Sequence, residues 1–134
     1  MNWRWVSLRT VFALHNEQIT EHGGLPGVRD RGLLESALAR PRQLAAYEQD
    51  VPAARLAAAY AFGIARNHPF ADGNKRAAFI VAATFLELNG AAFETSERDV
   101  VETILRLAAG ELDELALAAW FARHCTPSDS NPPR

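Results

Sequence analysis

The hydrophobic pattern is most continuous from about residue 74 to residue 89, where apolar side chains fall on nearly every face of a predicted helix. A helix that is apolar all round must be buried in a core. Asn89 and Gly90 provide a typical helix stop, with glycine just past the last turn. Such a helix is roughly 24 Å long, about the width of a small domain. The pattern therefore predicts a central buried helix.

A polar segment of different character precedes this helix. Residues 68–76 read HPFADGNKR and bring a histidine, an aspartate, a glycine and two cations together. Pro69 and Gly73 disfavour regular helix, so we predict a loop that leads into the helix at about Asn74.

Apolar spacing and capping residues predict five further helices. We place them at about residues 7–21, 30–40, 53–66, 96–110 and 113–124. Four of them follow a side chain that can cap the first turn: Ser7, Asp30, Ser96 and Asp113. Pro41 is predicted to end the second helix.

The remaining segments predict a minor β pairing and a tail. Residues 2–6 alternate like a short strand and could pair with an extended segment at 92–95. Residues 42–52 have no clear period, which is typical of an ordinary linker with a helical turn. Residues 126–134 are rich in proline and serine, so we predict a domain at 1–125 and a disordered tail at 126–134.

The composition is ordinary for a soluble globular protein. The chain has 134 residues, of which 49% are hydrophobic and 22% charged, and its net charge is −2. This balance gives no global attraction to nucleic acid or membrane. Cys125 is the single cysteine, which fits a reducing cytosol. Arg4 and Arg9 interrupt the N-terminal apolar residues, so we expect no signal peptide and a cytoplasmic location.

The start of the central helix has the chemistry of an anion site. Its first turn leaves N–H groups without intrahelical partners, and the helix dipole places partial positive charge there. Gly73 lets backbone amides approach a ligand closely. Asn74 lies in the same turn, and Lys75 and Arg76 add full charges. Lys75 is the sole lysine among fourteen basic residues, which favours a particular role for its compact ammonium group, with chance as the alternative.

Two further residues complete a set for phosphoryl or nucleotidyl transfer. Asp72 would repel a bare phosphate, but it suits the Mg²⁺ that usually accompanies nucleotide phosphates. His68 suits a general base, because its unperturbed pKa lies nearest neutrality. The plainer structural interpretation makes His68 and Asp72 a helix cap and an ion pair, and makes the two cations a solvated helix start.

HPFADGNKR resembles the signature of the Fic family, His-x-Phe-x-Asp/Glu-Gly-Asn-Gly-Arg-x-x-Arg, and in particular that of its death-on-curing (Doc) toxins. The GGLPGVRDRGLLESALARP segment and the length extend this likeness to most of residues 5–125. The resemblance implies an all-α fold, a helical bundle of the Fic/Doc type around the central helix. It implies His68 as base, Asp72 as metal ligand and the loop amides as an anion hole. By position, residues 42–52 resemble the segment that often forms the target-docking flap in Fic proteins, which is the alternative to a linker.

Two departures from the Fic pattern favour a kinase. Lys75 stands where Fic enzymes have a second glycine, and Phe79 where they have a second arginine. Fic enzymes typically transfer AMP, whereas the lysine variant in Doc-type members goes with phosphorylation of a protein hydroxyl. The resemblance therefore implies transfer of the γ-phosphoryl group of ATP to a serine or threonine of a bacterial protein, expected to be elongation factor Tu, which blocks translation. AMP transfer and a non-catalytic binding module are the alternatives.

Regulation by a separate protein is predicted from the lack of an inhibitory motif. No Ser/Thr-x-x-x-Glu-Gly/Asn inhibitory string occurs, so we expect a separate antitoxin whose C-terminal segment folds onto the toxin as a helix.

His15 lies on an apolar stripe, which favours a partly buried structural histidine and leaves a substrate contact open. His22 is predicted to lie in a loop. His124 and Cys125 have no neighbouring ligands that would make a metal site.

Overall fold

The computed structural model describes residues 2–127. Within that range the chain forms six helices and two short strands, whose bounds are α1 (Leu8–His22), α2 (Arg31–Tyr47), α3 (Ala53–Asn67), α4 (Asn74–Leu88), β1 (Ala91–Phe93), α5 (Glu97–Ala108), α6 (Glu114–Arg123) and β2 (Cys125–Pro127). The predicted all-α class with a minor two-stranded pairing is confirmed. No helix among the described residues is long and apolar enough to cross a membrane.

The centre of the bundle is a pair of helices, α3 and α4, which pack against each other. Residues such as Val81 and Phe85 of α4 are fully buried, which confirms the predicted central helix. Helix α3 shares this position, because it also packs against α2 and α6. Its small residues permit close approach: a Cβ added at Gly63 would lie 3.2 Å from Ala37 of α2.

Side-chain caps begin four of the helices, as predicted. Each cap accepts a hydrogen bond from a backbone N–H of the first turn, and the four caps are Ser7, Asp30, Ser96 and Asp113. Helix α4 begins differently. Its N-cap is Gly73, in a left-handed conformation at φ 73°, and no side chain caps the turn.

Helix α2 does not end at Pro41, and this prediction is wrong. Pro41 lies buried inside the helix, which continues to Tyr47 and absorbs the first part of the aperiodic segment 42–52. Proline removes one intrahelical bond at a cost of about 3 kcal/mol. Leu44 and Ala45 pack against the core beyond it, and this burial offsets the lost bond.

The predicted strand at residues 2–6 is also absent, because the backbone bonds there go to side chains. Asn89 pairs with Arg4 in both directions: its Oδ1 accepts from the Arg4 N–H at 2.9 Å, and its Nδ2 donates to the Arg4 carbonyl at 2.9 Å. The Val6 N–H donates to the Tyr60 hydroxyl at 3.0 Å. The Trp5 ring stacks on Phe85 and the Trp3 ring packs against it at a tilt, so residues 2–6 form an extended, packed segment without a strand partner.

The segment that was predicted to pair with residues 2–6 has a different partner. Strand β1 pairs antiparallel with β2, so that Ala91 faces Pro127 and Phe93 faces Cys125. Strand β2 includes Thr126 and Pro127, which the sequence assigned to the disordered tail, so the ordered part extends beyond residue 125. The rest of the predicted tail, residues 128–134, lies outside the described residues.

Candidate active site

All six residues predicted to form the site line one open cleft of about 750 Å³ at the N-terminal end of α4: His68, Asp72, Gly73, Asn74, Lys75 and Arg76. The cleft lies between this end of α4, the last turns of α1 and one face of α5. No residue of the 42–52 segment lines it. The structure therefore brings the predicted site residues together and does not support a flap at 42–52.

His68 marks the point where α3 ends and the loop begins. It occupies the C-cap of α3 in the left-handed region, at φ 47° and ψ 55°, which is uncommon for a residue other than glycine. Its N–H donates to the Ile64 carbonyl at 3.1 Å, and its imidazole is exposed in the cleft. The ring is therefore free to meet an incoming hydroxyl group.

A second loop, residues 25–30, runs beside the 68–72 loop and is bonded to it. Val28 and Phe70 form an isolated antiparallel bridge. Two flanking backbone bonds extend the contact, from the Ala71 N–H to the Gly27 carbonyl at 3.0 Å and from the Arg29 N–H to the Pro69 carbonyl at 2.7 Å. This pairing gives the conspicuous GGLPGVRD segment a structural role, because it supports the loop between His68 and Asp72.

Asp72 directs its carboxylate towards backbone amides. Oδ1 accepts from the Gly73 N–H at 2.9 Å, and Oδ2 accepts from the Leu25 N–H at 3.2 Å. These two backbone bonds lower the pKa of Asp72 below its usual value, with a smaller contribution from the charge of Arg76. Asp72 is therefore ionised at neutral pH, as a metal ligand must be.

The residues around Asp72 fit a magnesium ion that is bound together with a nucleotide. Within residues 2–127, no three His, Cys, Asp or Glu side chains cluster closely enough to hold a metal by themselves. Mg²⁺ bound with a nucleotide typically takes one or two carboxylates, and phosphates and waters complete its shell. One exposed, ionised carboxylate beside an anion site matches that arrangement and does not match an all-protein metal cage.

Asn74 has a structural role that the sequence did not reveal. Its Oδ1 accepts from the Phe70 N–H at 2.9 Å, and its Nδ2 donates to the Phe70 carbonyl at 3.1 Å. The side chain thereby closes the loop into a tight turn. The backbone N–H of Asn74 belongs to the first turn of α4, where it has no intrahelical partner and is a donor suited to a phosphate.

Lys75 and Arg76 carry free positive charge beside this turn. Both side chains are exposed in the cleft, and neither forms an ion pair with a carboxylate within residues 2–127. The plainer structural interpretation is therefore met in part: His68 caps α3 and both cations are exposed at a helix start, but Asp72 forms no ion pair within residues 2–127. An uncapped helix start with two unpaired cations is an anion-binding arrangement.

His15 is buried, as the apolar stripe predicts, and it packs against the loop that contains Phe70 and Asp72. Only 2% of its surface is exposed, its ring stacks on Phe70 with centroids 3.8 Å apart, and Nε2 lies 2.8 Å from the Asp72 carbonyl oxygen. A carbonyl oxygen can only accept, so Nε2 carries the proton. The structural alternative for His15 is therefore the one observed, because its buried ring leaves almost no surface for a substrate.

The cleft also has walls that the sequence analysis missed. Its far side is apolar and consists of Phe79 and Ile80 of α4 together with Val100, Val101, Ile104 and Leu105 of α5. Gln18, His22 and Glu97 add polar groups at its edge. The prediction that His22 lies in a loop is wrong, because α1 extends to it. The spacing of apolar residues on α5 signals a helix face, but it does not say which cavity that face borders.

Phe79 shows what replaces the second arginine of the Fic signature. Its ring meets Phe93 and Trp120 edge-on, with centroids 5.7 and 6.4 Å apart. These contacts hold an apolar side chain at the position where the Fic signature has its second arginine.

The similarity of the chain to known proteins agrees with this geometry. A family model described as the Fic/DOC family matches residues 5–86. The chain is 34% identical to "Protein kinase doc" of Escherichia phage P1 over 121 residues, which cover 90% of this chain and 94% of that protein. It is 51% identical to "Toxin Doc" of Mycolicibacterium smegmatis over 71 residues, which cover 51% of this chain and 53% of that protein. The chain therefore belongs to the Fic/Doc family.

Proposed function

We propose that this protein is a Doc-type toxin that transfers the γ-phosphoryl group of ATP to a serine or threonine hydroxyl of a bacterial protein. The observation that carries the proposal is the convergence of a histidine, an ionised carboxylate and two unpaired cations on the uncapped start of α4. The name of the phage P1 relative, a protein kinase, is consistent with this activity.

The proposed reaction assigns each group a role. The hydroxyl oxygen of the target bonds to the γ-phosphorus while His68 accepts the hydroxyl proton. The bond from the γ-phosphorus to the bridging oxygen breaks, and ADP leaves with that oxygen and its electron pair. Lys75, Arg76 and the first amides of α4 stabilise the negative charge that is redistributed in the transition state. Asp72 would hold the Mg²⁺ that neutralises the phosphates of the bound nucleotide.

The choice of γ-phosphoryl transfer over AMP transfer rests on two positions. Lys75 fills space that a glycine leaves open in AMP-transferring relatives and adds a compact cation. Phe79 packs in an aromatic cluster and supplies no second clamp. Both features favour a nucleotide bound with its γ-phosphate at the start of α4.

The proposed partners follow from the family. The target is elongation factor Tu, whose phosphorylation would block translation, and the regulator is a cognate antitoxin. The M. smegmatis relative is named a toxin, which is consistent with such a pair. The apolar face that α5 presents to the cleft would accept the apolar side of an antitoxin helix that folds on binding.

The decisive experiment uses ATP labelled at either the α- or the γ-phosphate, with Mg²⁺, purified elongation factor Tu and no antitoxin. We expect the γ label alone to appear on the target. Transfer of the α label would support AMP transfer instead. Transfer of neither label would favour a non-catalytic binding module.

Three variants assign the proposed roles. His68→Ala should lower transfer by about two to four powers of ten, the usual contribution of a general base. Asp72→Ala should lower transfer through the loss of the metal carboxylate. Lys75→Gly should weaken γ transfer and permit α transfer, and unchanged γ transfer in this variant would contradict the role given to Lys75.

Calorimetry tests the antitoxin separately. We expect the C-terminal segment of the cognate antitoxin to bind with a negative heat-capacity change and a gain in helical circular dichroism, as coupled folding requires. Binding without a helical gain, or no binding, would contradict this part of the proposal.

A further inference from the structure

His68 lies at a strained point of the backbone, so something must hold it there. At φ 47° it is one of two residues other than glycine with positive φ among residues 2–127. Such a conformation costs about 1–3 kcal/mol and persists only when the surroundings fix it. Because the imidazole direction depends on this backbone, the group that fixes the backbone also aims the base.

The side chain of Arg29 contacts this point directly. Its Nε donates to the His68 carbonyl oxygen at 2.8 Å, and its Nη2 donates to the Asn67 carbonyl oxygen at 3.0 Å. These are carbonyls at the C-terminal end of α3, where the helix dipole is negative and a cation is favourable. The rigid guanidinium fork meets both carbonyls at once, which a lysine ammonium cannot do in the same geometry.

The backbone of Arg29 is itself anchored to the loop that it supports. The N–H groups of Arg29 and Asp30 both donate to the Pro69 carbonyl, at 2.7 and 3.0 Å. Asn67 is held from the other side, because its Nδ2 donates to the Leu33 carbonyl at 2.9 Å. The fork thus connects the 25–30 loop to the end of α3, and it does so without lining the cleft.

We propose that Arg29 is a positioning residue for His68: it bridges the last carbonyls of α3 and sets the direction in which the imidazole enters the cleft. The inference rests on the proposed function, in which His68 is the base. Arg29 would not touch nucleotide or target hydroxyl. Its loss should therefore lower kcat and leave the KM for ATP nearly unchanged.

The test compares Arg29→Ala with Arg31→Ala. Arg31 is a matched control, because it carries the same charge two residues further on and forms only an exposed ion pair with Glu35. Two readouts are taken for each protein: γ-phosphoryl transfer, and the backbone ¹³C chemical shifts of His68, which report its left-handed conformation whether or not transfer occurs.

We expect Arg29→Ala to lower kcat by about ten- to a hundred-fold, as small misplacements of a reacting group do, with the KM for ATP within about twofold. The His68 shifts should leave their left-handed values. Arg31→Ala should match wild type in both readouts. Arg29→Lys, which keeps the charge and loses the fork, should give an intermediate kcat, and it decides the matter if Arg29→Ala does not fold.

Several results would overturn the inference. They are a wild-type kcat in Arg29→Ala or in Arg29→Lys, unchanged His68 shifts in Arg29→Ala, and equal losses in Arg29→Ala and Arg31→Ala. If wild-type protein transferred no label, the proposed function would fail on its own, and the His68 shifts would still decide whether Arg29 sets this conformation.

Discussion

Two helices present their first turns to the same cleft, and they begin in opposite ways. Helix α5 is capped by Ser96, whose hydroxyl accepts from the Asp99 N–H at 3.0 Å, and its first turn contains two acidic residues. Helix α4 begins at Gly73 with no side-chain cap, no acidic residue in its first turn and two cations instead. The first arrangement satisfies the helix from within, and the second leaves it to a ligand.

Local stability at the first turn is lower in α4 than in α5. A serine cap typically contributes about 1 kcal/mol, and acidic residues near a helix start add a few tenths. Helix α4 has neither a side-chain cap nor acidic residues in its first turn, and the positive end of its dipole repels Lys75 and Arg76. It nevertheless lies at the centre of the bundle. Burial of its apolar residues stabilises it, so its first turn can remain open to an anion.

Reversing the charge at the start of α4 should separate activity from stability. Lys75→Glu supplies the acidic residue that α5 has, so the free energy of unfolding should stay the same or rise by about 0.3–1 kcal/mol. Phosphoryl transfer should fall by about two to three powers of ten, because the phosphate meets a like charge. Urea denaturation and the γ-label assay measure the two effects.

The matched control is Arg9→Glu, which makes the same charge reversal at the second residue of α1 on an exposed side chain. It should leave transfer unchanged. If Lys75→Glu kept full transfer, or lost transfer only in parallel with unfolding, the distinction between the two helix starts would be wrong.

Removing the buried support beneath α4 should affect stability as well. His15→Leu keeps apolar bulk against Phe70 but leaves the Asp72 carbonyl without its hydrogen-bond donor, which should cost about 1–3 kcal/mol in the free energy of unfolding. Transfer should fall with it, because the Asp72–Gly73 turn loosens. His22→Ala, at an exposed helix end, should change the unfolding free energy by less than about 0.5 kcal/mol. Equal stabilities of the two variants would contradict this assignment.

Removing the cap of α5 should have the complementary effect. Ser96→Ala should lower the free energy of unfolding by about 1 kcal/mol and leave phosphoryl transfer unchanged. Ser36→Ala, at an exposed position within α2, serves as the control and should not destabilise the protein. A large loss of transfer in Ser96→Ala would mean that the start of α5 also takes part in the reaction.

The smallest expected effect is an acid dependence of stability at each helix start. Hydrogen bonds from Gly73 and Leu25 lower the pKa of Asp72, and those from Trp120 and Thr95 lower the pKa of Asp99. Because each pKa is lower in the folded state, each carboxylate contributes stability above its unfolded pKa of about 3.9 and loses it as the pH falls through the folded pKa. When urea midpoints are measured from pH 7 down to pH 3, the midpoint concentration should therefore decrease once the pH is below about 4. The decrease should be less steep in Asp72→Asn. An unchanged slope in Asp72→Asn would contradict the assignment for Asp72.

The sequence predicted most of what depends on neighbouring residues. The caps at Ser7, Asp30, Ser96 and Asp113 act within one turn, and the apolar residues of α4 need only a core of any kind. For the same reason the six site residues could be grouped in advance: they lie within nine positions around one loop and one helix start.

The sequence failed where distant residues decide the outcome. Pro41 should break a helix by local rules, and only the packing of residues after it keeps α2 intact. The backbone of residues 2–6 is paired by the side chains of Asn89 and Tyr60, which no alternation can reveal. Arg29 gave no signal of its own, because its partners lie 38 and 39 residues further along the chain.

An NMR titration of the ¹⁵N-labelled protein with Mg²⁺ and a non-hydrolysable ATP analogue shows whether the start of α4 binds the phosphates. If the open start of α4 binds the phosphates, the amide resonances of residues 74–76 should shift most, and those of residues 97–99 in the capped turn of α5 should shift little. Large shifts elsewhere, with residues 74–76 unchanged at saturation, would show that the start of α4 is not the phosphate site.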